Sequence, residues 1–301
     1  MSPSTFKLTA ATNVGMVRKN NEDNFIVCPD LSAGLWCVPE DADSVFDLGE
    51  DGCLLCVADG MGGMNAGEVA SDIAVNSIKD FFSSRKSKLF LDKTNFLGIE
   101  SFMKKAIVKA DKKIKEKAKS DSSTNGMGTT IVLAWIKSSY VNIAWCGDSR
   151  AYLFNPVSGL VRLSKDHSYV QQLIDNGSLD PEMAFYHPDS NIITRSLGDS
   201  CNKARPDYMH REIHVGDIIL LCTDGLCGLI QDHEIQRILM EEKDCLERCK
   251  SVLIEAALAS GGHDNVTVAL YQCVSGELEG DIKKTNPNII TRRRGIFGWK
   301  K

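Results

Sequence analysis

Aspartate residues follow apolar, strand-like runs at several places in this chain. Residues 54–58 and 220–223 have nearly the same sequence, and each run leads into an Asp-Gly pair, at Asp59 and Asp224. Residues 141–146 lead in the same way to Asp148, and Asp264 closely precedes the strand-like residues 266–270. A short apolar run that ends at a turn signal is typical of a buried strand. Each carboxylate is therefore expected at a strand end.

Carboxylates at the ends of several strands indicate one shared site. Acidic groups brought that close repel one another unless a cation neutralises them. Carboxylate oxygens suit hard ions such as Mg²⁺ and Mn²⁺. The pattern therefore predicts a site that holds more than one hard divalent ion.

A second group of chemically active residues lies near the start of the chain. Arg18 precedes the adjacent carboxylates Glu22 and Asp23. Arginine can bind a phosphate through two parallel hydrogen bonds and neutralise its charge. Metal ions held by carboxylates can activate water and clamp the attacking and leaving oxygens of a phosphoryl group. These residue types together suit phosphoryl transfer to water.

Short motifs follow one another in a fixed order along the chain. They are Gly15-x-x-Arg18-x-x-Asn21-Glu22-Asp23, Ala58-Asp59-Gly60-Met61-Gly62-Gly63, Gly128-Thr129-Thr130, Gly147-Asp148-Ser149-Arg150, Leu163-Ser164-Lys165-Asp166-His167-Ser168, Asn191-Ile192-Ile193-Thr194-Arg195-Ser196-Leu197-Gly198, Thr223-Asp224-Gly225 and Asp264-Asn265-Val266-Thr267. In this order they resemble the metal-dependent Ser/Thr protein phosphatases of the PPM, or type 2C, family, in its bacterial branch. The resemblance covers residues 6–274.

The resemblance implies a fold and a set of cofactors. The fold is a four-layer α-β-β-α sandwich, in which two antiparallel sheets are flanked by helices. The order of apolar runs also favours the α+β class over a regular βαβ alternation. The implied cofactors are Mn²⁺ or Mg²⁺, with two principal ions and a third.

The resemblance also assigns roles to individual residues. Arg18 would hold the substrate phosphate, and Asn265 and Thr129 would support the residues around the ions. The implied catalytic set is Arg18, Asp59, Asp224 and Asp264. The implied metal ligands are Glu22, Asp23, Asp59, the Gly60 carbonyl, Asp148, Asp224 and Asp264.

The implied reaction is direct attack of metal-activated water on the phosphorus of phosphoserine or phosphothreonine, without a phosphoenzyme. The chain contains no Cys-x5-Arg, P-loop or His-Glu-x-x-His motif, which fits this expectation. Met61 stands where eukaryotic relatives often have a histidine, and His167 and His187 match no acid position of the family. Protonation of the leaving group is therefore expected from metal-bound water.

Other interpretations remain open from the sequence alone. Asp-Gly pairs commonly form turns, Arg18 could form a structural salt bridge, and Asp148 could position Arg150. At the level of function, the alternatives are a non-catalytic phosphoprotein-binding module and a hydrolase of small phosphate esters. A binding module should have lost ligands, and the principal carboxylates are all present.

Composition narrows the class of protein and its partners. The net charge of −5 argues against a nucleic-acid binder. The sequence has no apolar run long enough for a membrane span and no signal peptide, so we expect a cytoplasmic protein. We also expect a monomer. Its eleven cysteines are expected to be reduced, mainly packing in the core. Phosphorylated proteins, including a Ser/Thr kinase, are the expected partners.

The regular pattern divides the chain into a catalytic domain over residues 1–276 and a basic, flexible tail over 277–301. Residues 28–52 form an acidic insert, and residues 168–207 a flap. Apolar periodicity predicts helices over 67–82, 99–114, 168–176 and 245–259. Strands are predicted over 6–12, 54–58, 129–136, 141–146, 151–154, 217–223 and 266–270.

Overall fold

Two antiparallel sheets pack face to face in the computed structural model, which describes residues 5–41, 43–62, 66–84 and 95–275. The first sheet contains, in spatial order, β3 (Phe46–Asp47), β1 (Thr5–Asn13), β12 (Val266–Ser275), β11 (Ile218–Cys222), β8 (Arg150–Asn155) and β9 (Gly159–Arg162). The second contains β10 (Asp207–Glu212), β7 (Tyr140–Cys146), β6 (Ile131–Lys137), β4 (Cys53–Met61) and β2 (Asp23–Cys28). The short strand β5 (Gly128–Thr129) pairs with the end of β4.

Helices cover the outer face of each sheet. The second sheet packs against α1 (Ala66–Ser83) and α2 (Phe96–Ser120), and the first against α5 (Asp232–Glu242) and α6 (Leu246–Ala259). Two shorter helices are α3 (Tyr169–Asp175) and α4 (Asp224–Cys227). The arrangement is the four-layer α-β-β-α sandwich predicted from the sequence, and this prediction is confirmed.

The similar runs before Asp59 and Asp224 have a common physical cause. In β4, Leu55 and Val57 face the core between the sheets, whereas Leu54 and Cys56 face α1 and α2. Residues of β11 alternate in the same way between the inter-sheet core and α5 and α6. Successive side chains of a strand point to opposite faces. A strand covered on both faces is therefore apolar at every position.

The predicted helices and strands are present, with some shifts in their ends. Asp59 lies within β4 rather than at its end, because Gly60 and Met61 continue the strand by pairing with β5. Asp224 is the first residue of α4, directly after β11. The predicted strand 129–136 is divided into β5 and β6 at Thr130, whose backbone N–H donates to the Asp59 carbonyl.

The insert and the flap are both mostly irregular. The insert 28–52 contains the edge strand β3, which pairs with β1. The flap 168–207 contains α3, capped by Ser168, and a 3₁₀ turn over Pro181–Tyr186, and it ends where β10 begins. No helix of the described residues has the length and apolar character needed to cross a membrane. The expected tail lies outside the described residues.

Candidate active site

The acidic residues singled out in the sequence come from both sheets. Asp23 and Asp59 are directly opposite each other on β2 and β4 of the second sheet. Asp224 follows β11 of the first sheet, and its carboxyl group lies beside that of Asp59. Asp264 precedes β12, and Asp148 follows β7. One end of the sandwich therefore collects carboxylates from both sheets.

Burial dominates the electrostatics of this acidic group. It raises the pKa of the Asp59 carboxyl well above its usual value, and the negative charges of Asp224, Asp23 and Asp148 raise it further. The pKa values of Asp23, Asp148 and Asp224 are also raised, with burial as the largest cause in each case. Buried like charges without compensation are costly.

The acidic group fits a divalent cation. Among the described residues, no three acidic, histidine or cysteine side chains already stand together as a complete ligand set. Asp148 and Asp224 nevertheless each have one buried carboxyl oxygen without a hydrogen-bond partner among those residues. Such oxygens are rare in proteins because an unsatisfied buried acceptor loses its hydration. A bound cation would satisfy these oxygens and neutralise the repulsion.

The raised carboxyl pKa values predict an unusual pH dependence for the metal-free protein. Unfolded aspartates titrate near about pH 3.9. Above that pH, folded Asp59 and its neighbours retain protons that the unfolded chain has lost. The free energy of unfolding therefore decreases as the pH rises through this window. Metal binding displaces these protons, so Mn²⁺ should raise the melting temperature more at about pH 8 than at about pH 5.

Thermal unfolding with chelator and with Mn²⁺, at both pH values, measures this effect. An Asp59→Asn variant provides the comparison, because it removes one of the buried titrating groups. A metal-free protein that becomes more stable from about pH 5 to about pH 8 would contradict the prediction.

Arg18 contacts the acidic group directly. Its guanidinium Nη2 donates to Asp264 Oδ2 at 2.6 Å, and this hydrogen bond raises the pKa of Arg18. The salt bridge considered from the sequence is therefore present. The side chain is 51% exposed. The guanidinium has five N–H donors, so the contact with Asp264 leaves others for an oxyanion.

Asn265 holds the loop that carries Arg18 and Glu22. Its side-chain amide donates to the carbonyls of Val14 and Asn20, at 2.9 and 3.0 Å, and its Oδ1 accepts from the Glu22 N–H at 2.7 Å. The sequence analysis assigned Asn265 a supporting role beside Asp264. In the structure, the side chain of Asn265 supports this loop. The loop has no regular structure of its own, so the amide fixes where Arg18 and Glu22 lie.

Replacing Asn265 by alanine should release this loop. We expect a loss of about 10- to 100-fold in kcat/KM, the range for residues that orient a metal site, and a destabilisation of about 1–3 kcal/mol from the lost hydrogen bonds. Kinetics on a phosphopeptide and thermal unfolding measure the two effects. A matched Asn76→Ala change on the exposed face of α1 should cause neither loss. Unchanged kinetics in the Asn265 variant would contradict the assignment.

Threonines that the sequence analysis did not single out hold Asp23. Asp23 Oδ2 accepts hydrogen bonds from Thr223 Oγ1 at 2.8 Å and Thr267 Oγ1 at 2.6 Å. Thr12 in turn contacts Thr267 at 2.7 Å. These bonds join β2 of the second sheet to β12 of the first and to Thr223, which directly follows β11. Thr223 and Thr267 lie within the Thr-Asp-Gly and Asp-Asn-Val-Thr motifs. Their place in these motifs is the sequence feature that could have identified them as site residues.

Two adjacent threonines fix the backbone at Asp59. Thr129, assigned a supporting role, donates its hydroxyl to the Asp59 carbonyl at 2.8 Å. Thr130, which the sequence analysis did not assign, bonds the same carbonyl through its N–H and accepts from the Asp59 N–H. Gly60 allows the strand to approach α1, since a Cβ there would meet the carbonyls of Gly67 and Glu22.

Within the described part of the chain, no hydrogen bond joins Asp148 to Arg150. The Arg150 guanidinium instead donates to both carboxyl oxygens of Asp166, at 2.7–3.1 Å, and to the Tyr152 hydroxyl at 3.1 Å. Asp148 is 7% exposed and is held near the other carboxylates by its place after β7. Arg150 is therefore oriented by Asp166 and Tyr152, and the metal-binding role of Asp148 stays a prediction.

The histidines considered as acids have structural partners. Buried His167 accepts from the Gly147 N–H at 3.1 Å and contacts Asp207 at 3.0 Å, and burial lowers its pKa. His187 accepts from the Asp189 N–H within the flap. Neither ring lines the cleft beside the acidic residues.

A cleft of about 680 Å³ opens beside the acidic residues. Asp148, Asp224 and Asp264 line one end of it, and the flap lines the other. The acidic group is thus accessible from the space between the flap and the region of α4 and α5.

Comparison with known proteins gives a consistent result. The sequence model for protein phosphatase 2C matches residues 37–259. The serine/threonine phosphatase Stp of Listeria monocytogenes is 36% identical over 262 residues, which cover 87% of this chain and 93% of that protein.

Solved structures agree. The serine/threonine phosphatase of S. agalactiae superposes with a TM-score of 0.74 at 30% identity, covering 90% of this chain and 100% of that chain. The catalytic domain of the phosphatase PstP in complex with 2 manganese ions has a TM-score of 0.70 at 28% identity, covering 90% and 99%. The motif order, the sandwich and these matches agree: the chain belongs to the protein phosphatase 2C family.

Proposed function

We propose that this chain is a metal-dependent phosphatase that hydrolyses phosphoserine and phosphothreonine in proteins. The observation that carries the proposal is the buried group of carboxylates from both sheets. Two of its oxygens have no hydrogen-bond partner in the described part of the chain, and it lies beside a half-exposed arginine. Relatives with this fold are named serine/threonine phosphatases. Phosphorylated proteins are accordingly the proposed substrates.

The residues present fit two principal ions, Mn²⁺ or Mg²⁺. Asp59, with the Gly60 carbonyl, would serve both ions, Asp224 and Asp264 the first, and Glu22 and Asp23 the second. The unpartnered oxygens of Asp148 and Asp224 support a third position. The chemistry supplied by bound ions is polarisation of phosphoryl oxygens and activation of water.

The chain itself orients the phosphate and excludes competing nucleophiles. Arg18 lies beside Asp264 and can bind phosphoryl oxygens through its free N–H groups. Cys227 lines the cleft, but its pKa is raised well above its usual value by contact with Cys222 and by burial. A thiol with a raised pKa is a poor nucleophile. This supports direct attack by water without a phosphoenzyme.

Hydrolysis of a phosphothreonine peptide, with Mn²⁺ and with chelator, tests the proposed function. Activity that requires the ion is expected. Folded, Mn²⁺-loaded protein without activity on any phosphopeptide would overturn the proposal in favour of a binding module. Turnover of small phosphate esters but not of peptides would support the other alternative. We also propose that this phosphatase opposes a Ser/Thr kinase. We propose further that it is a monomer and that it acts in the cytoplasm.

Replacing Arg18 by alanine should weaken binding of the substrate phosphate. We expect kcat/KM for the phosphopeptide to fall by about 10- to 100-fold, the cost of a lost charge-assisted hydrogen bond, mainly through a higher KM. Arg18→Lys should recover only part of the loss, because an ammonium group cannot form two parallel bonds. Steady-state kinetics check both variants, and an unchanged KM in Arg18→Ala would show that the salt bridge with Asp264 is purely structural.

A further inference from the structure

The cleft extends well beyond the acidic group. It runs from Asp148 and Asp264 to the 3₁₀ turn of the flap, where Glu182 and Phe185 line it. A volume of about 680 Å³ is within the range of sites that bind most of a drug-sized ligand. A phosphoryl group would fill only the end next to the carboxylates. The remaining length is available to the polypeptide that carries the phosphate.

A hydrogen bond connects the two walls of this cleft. Gln231, next to the start of α5, donates its side-chain amide to the Tyr186 hydroxyl on the flap at 2.7 Å. Gln231 itself lines the cleft, and Tyr186 directly follows the lining residue Phe185. The bond therefore connects the flap to the wall that leads into α5.

The arginines in the cleft are already neutralised. Arg150 bonds both oxygens of Asp166 and lies 3.6 Å from Asp232. Arg162 contacts the same Asp166 at 3.4 Å and donates to Gln171. Two guanidinium groups thus face two carboxylates. This part of the cleft offers little net positive charge to a substrate.

Glu182 is different from these paired groups. It is exposed, it lines the cleft, and no ion pair of its carboxylate occurs among the described residues. Apolar residues lie in the same cleft, among them Ile174 and Phe185, both half-buried. An apolar surface with one uncompensated carboxylate suits a long basic side chain, which packs its aliphatic stem and keeps its charged end at the carboxylate.

We propose that this groove binds the polypeptide flanking the phosphorylated residue and prefers a flank that contains arginine or lysine. The stem of that side chain packs on Ile174 and Phe185, and its charged end pairs with Glu182. The inference rests on the proposed protein phosphatase function and names the class of substrate. Part of the specificity then lies in the flap, away from the residues that hold the phosphate.

Matched phosphothreonine peptides test this inference. The peptides differ only in one flanking residue, which is arginine, glutamine or glutamate, and the arginine is moved through the positions on either side. The assay runs at about pH 8, above the pKa of an isolated histidine side chain. The readout is the ratio of kcat/KM between the arginine and glutamine peptides for the wild type, Glu182→Gln and Glu182→Lys.

The wild type should prefer the arginine peptide by about two- to fivefold at the best position, as expected for one exposed ion pair. Higher ionic strength should reduce the ratio. Glu182→Gln should bring the ratio near one, and Glu182→Lys should invert it toward the glutamate peptide. The matched control Glu255→Gln removes the same charge from an exposed site on α6, outside the groove, and should keep the wild-type ratio.

Two results would overturn the inference in distinguishable ways. Suppose that the ratio of kcat/KM between the arginine and glutamine peptides is equal in the wild type and both Glu182 variants, with peptides still hydrolysed. This result would overturn the proposed binding of a basic flank in the groove and leave the proposed function intact. Hydrolysis of p-nitrophenyl phosphate with no peptide hydrolysed would overturn the proposed function and the groove together.

Discussion

Replacing Asp224 by asparagine is expected to abolish hydrolysis while leaving the metal-free protein as stable as the wild type or more stable. Asp224 lies beside Asp59, and one of its buried carboxyl oxygens has no hydrogen-bond partner among the described residues. Activity should fall at least about a hundredfold, the upper end of the losses seen for residues that only support a metal site. The metal-free protein loses a buried group whose ionisation is unfavourable, because burial raises its pKa. The melting temperature with chelator should therefore not fall.

The same variant should respond weakly to metal ions. Mn²⁺ raises the melting temperature of the wild type in proportion to its affinity for the folded state, and the variant lacks one ligand. Asp244→Asn is the matched control, because the Asp244 side chain is 91% exposed and remote from the cleft. Full activity in the Asp224 variant, or a Mn²⁺-induced shift equal to that of the wild type, would remove Asp224 from the proposed ligands.

Replacing Gly225 by alanine is expected to be the most disruptive small substitution near the site. A Cβ at Gly225 would overlap the backbone carbonyl of Asn265, directly before β12, and would also crowd the Cα of Val266 in that strand. Backbone atoms of a central strand cannot move aside as a flexible side chain can. We expect destabilisation of at least about 3 kcal/mol, which corresponds to a decrease of about 6–12 °C in melting temperature for a domain of this size.

Gly216→Ala is the control for this change. Gly216 has a φ of +89° and nothing within 4 Å of an added Cβ. The control therefore measures only the left-handed backbone cost of about 1–2 kcal/mol. Thermal unfolding with chelator compares the two variants without any contribution from bound ions. A Gly225 variant that melts within about 2 °C of the wild type would show that α4 can shift without cost.

The sequence was sufficient for the elements that are buried on both faces. The runs that became β4 and β11 are apolar at every position, and α2 has a clear stripe that ends at Ile114. Burial of these elements depends on the side chains themselves. The apolar pattern of the sequence is therefore enough to predict where these elements lie. The acidic positions could be named for the same reason, since they follow such runs.

Elements at the edges could not be predicted in the same way. β10 is half-exposed and polar over Asp207–Glu212, and its pairing with β7 depends on backbone hydrogen bonds that any sequence can make. The helix α5 was missed although Ile235, Ile238 and Leu239 form a short stripe. The roles of Thr223 and Thr267 depend on the approach of two sheets from distant parts of the chain, which no local pattern encodes.

The distribution of the acidic residues over the two sheets links ion binding to the folding of the whole domain. Neither sheet alone contains the complete group, and Asp23 of one sheet is bonded to threonines of the other. A partly folded chain with one sheet formed would have little affinity for the ions. Binding energy would then stabilise the docked pair of sheets as a unit. Amide hydrogen exchange should accordingly slow together in β4 and β12 when ions bind.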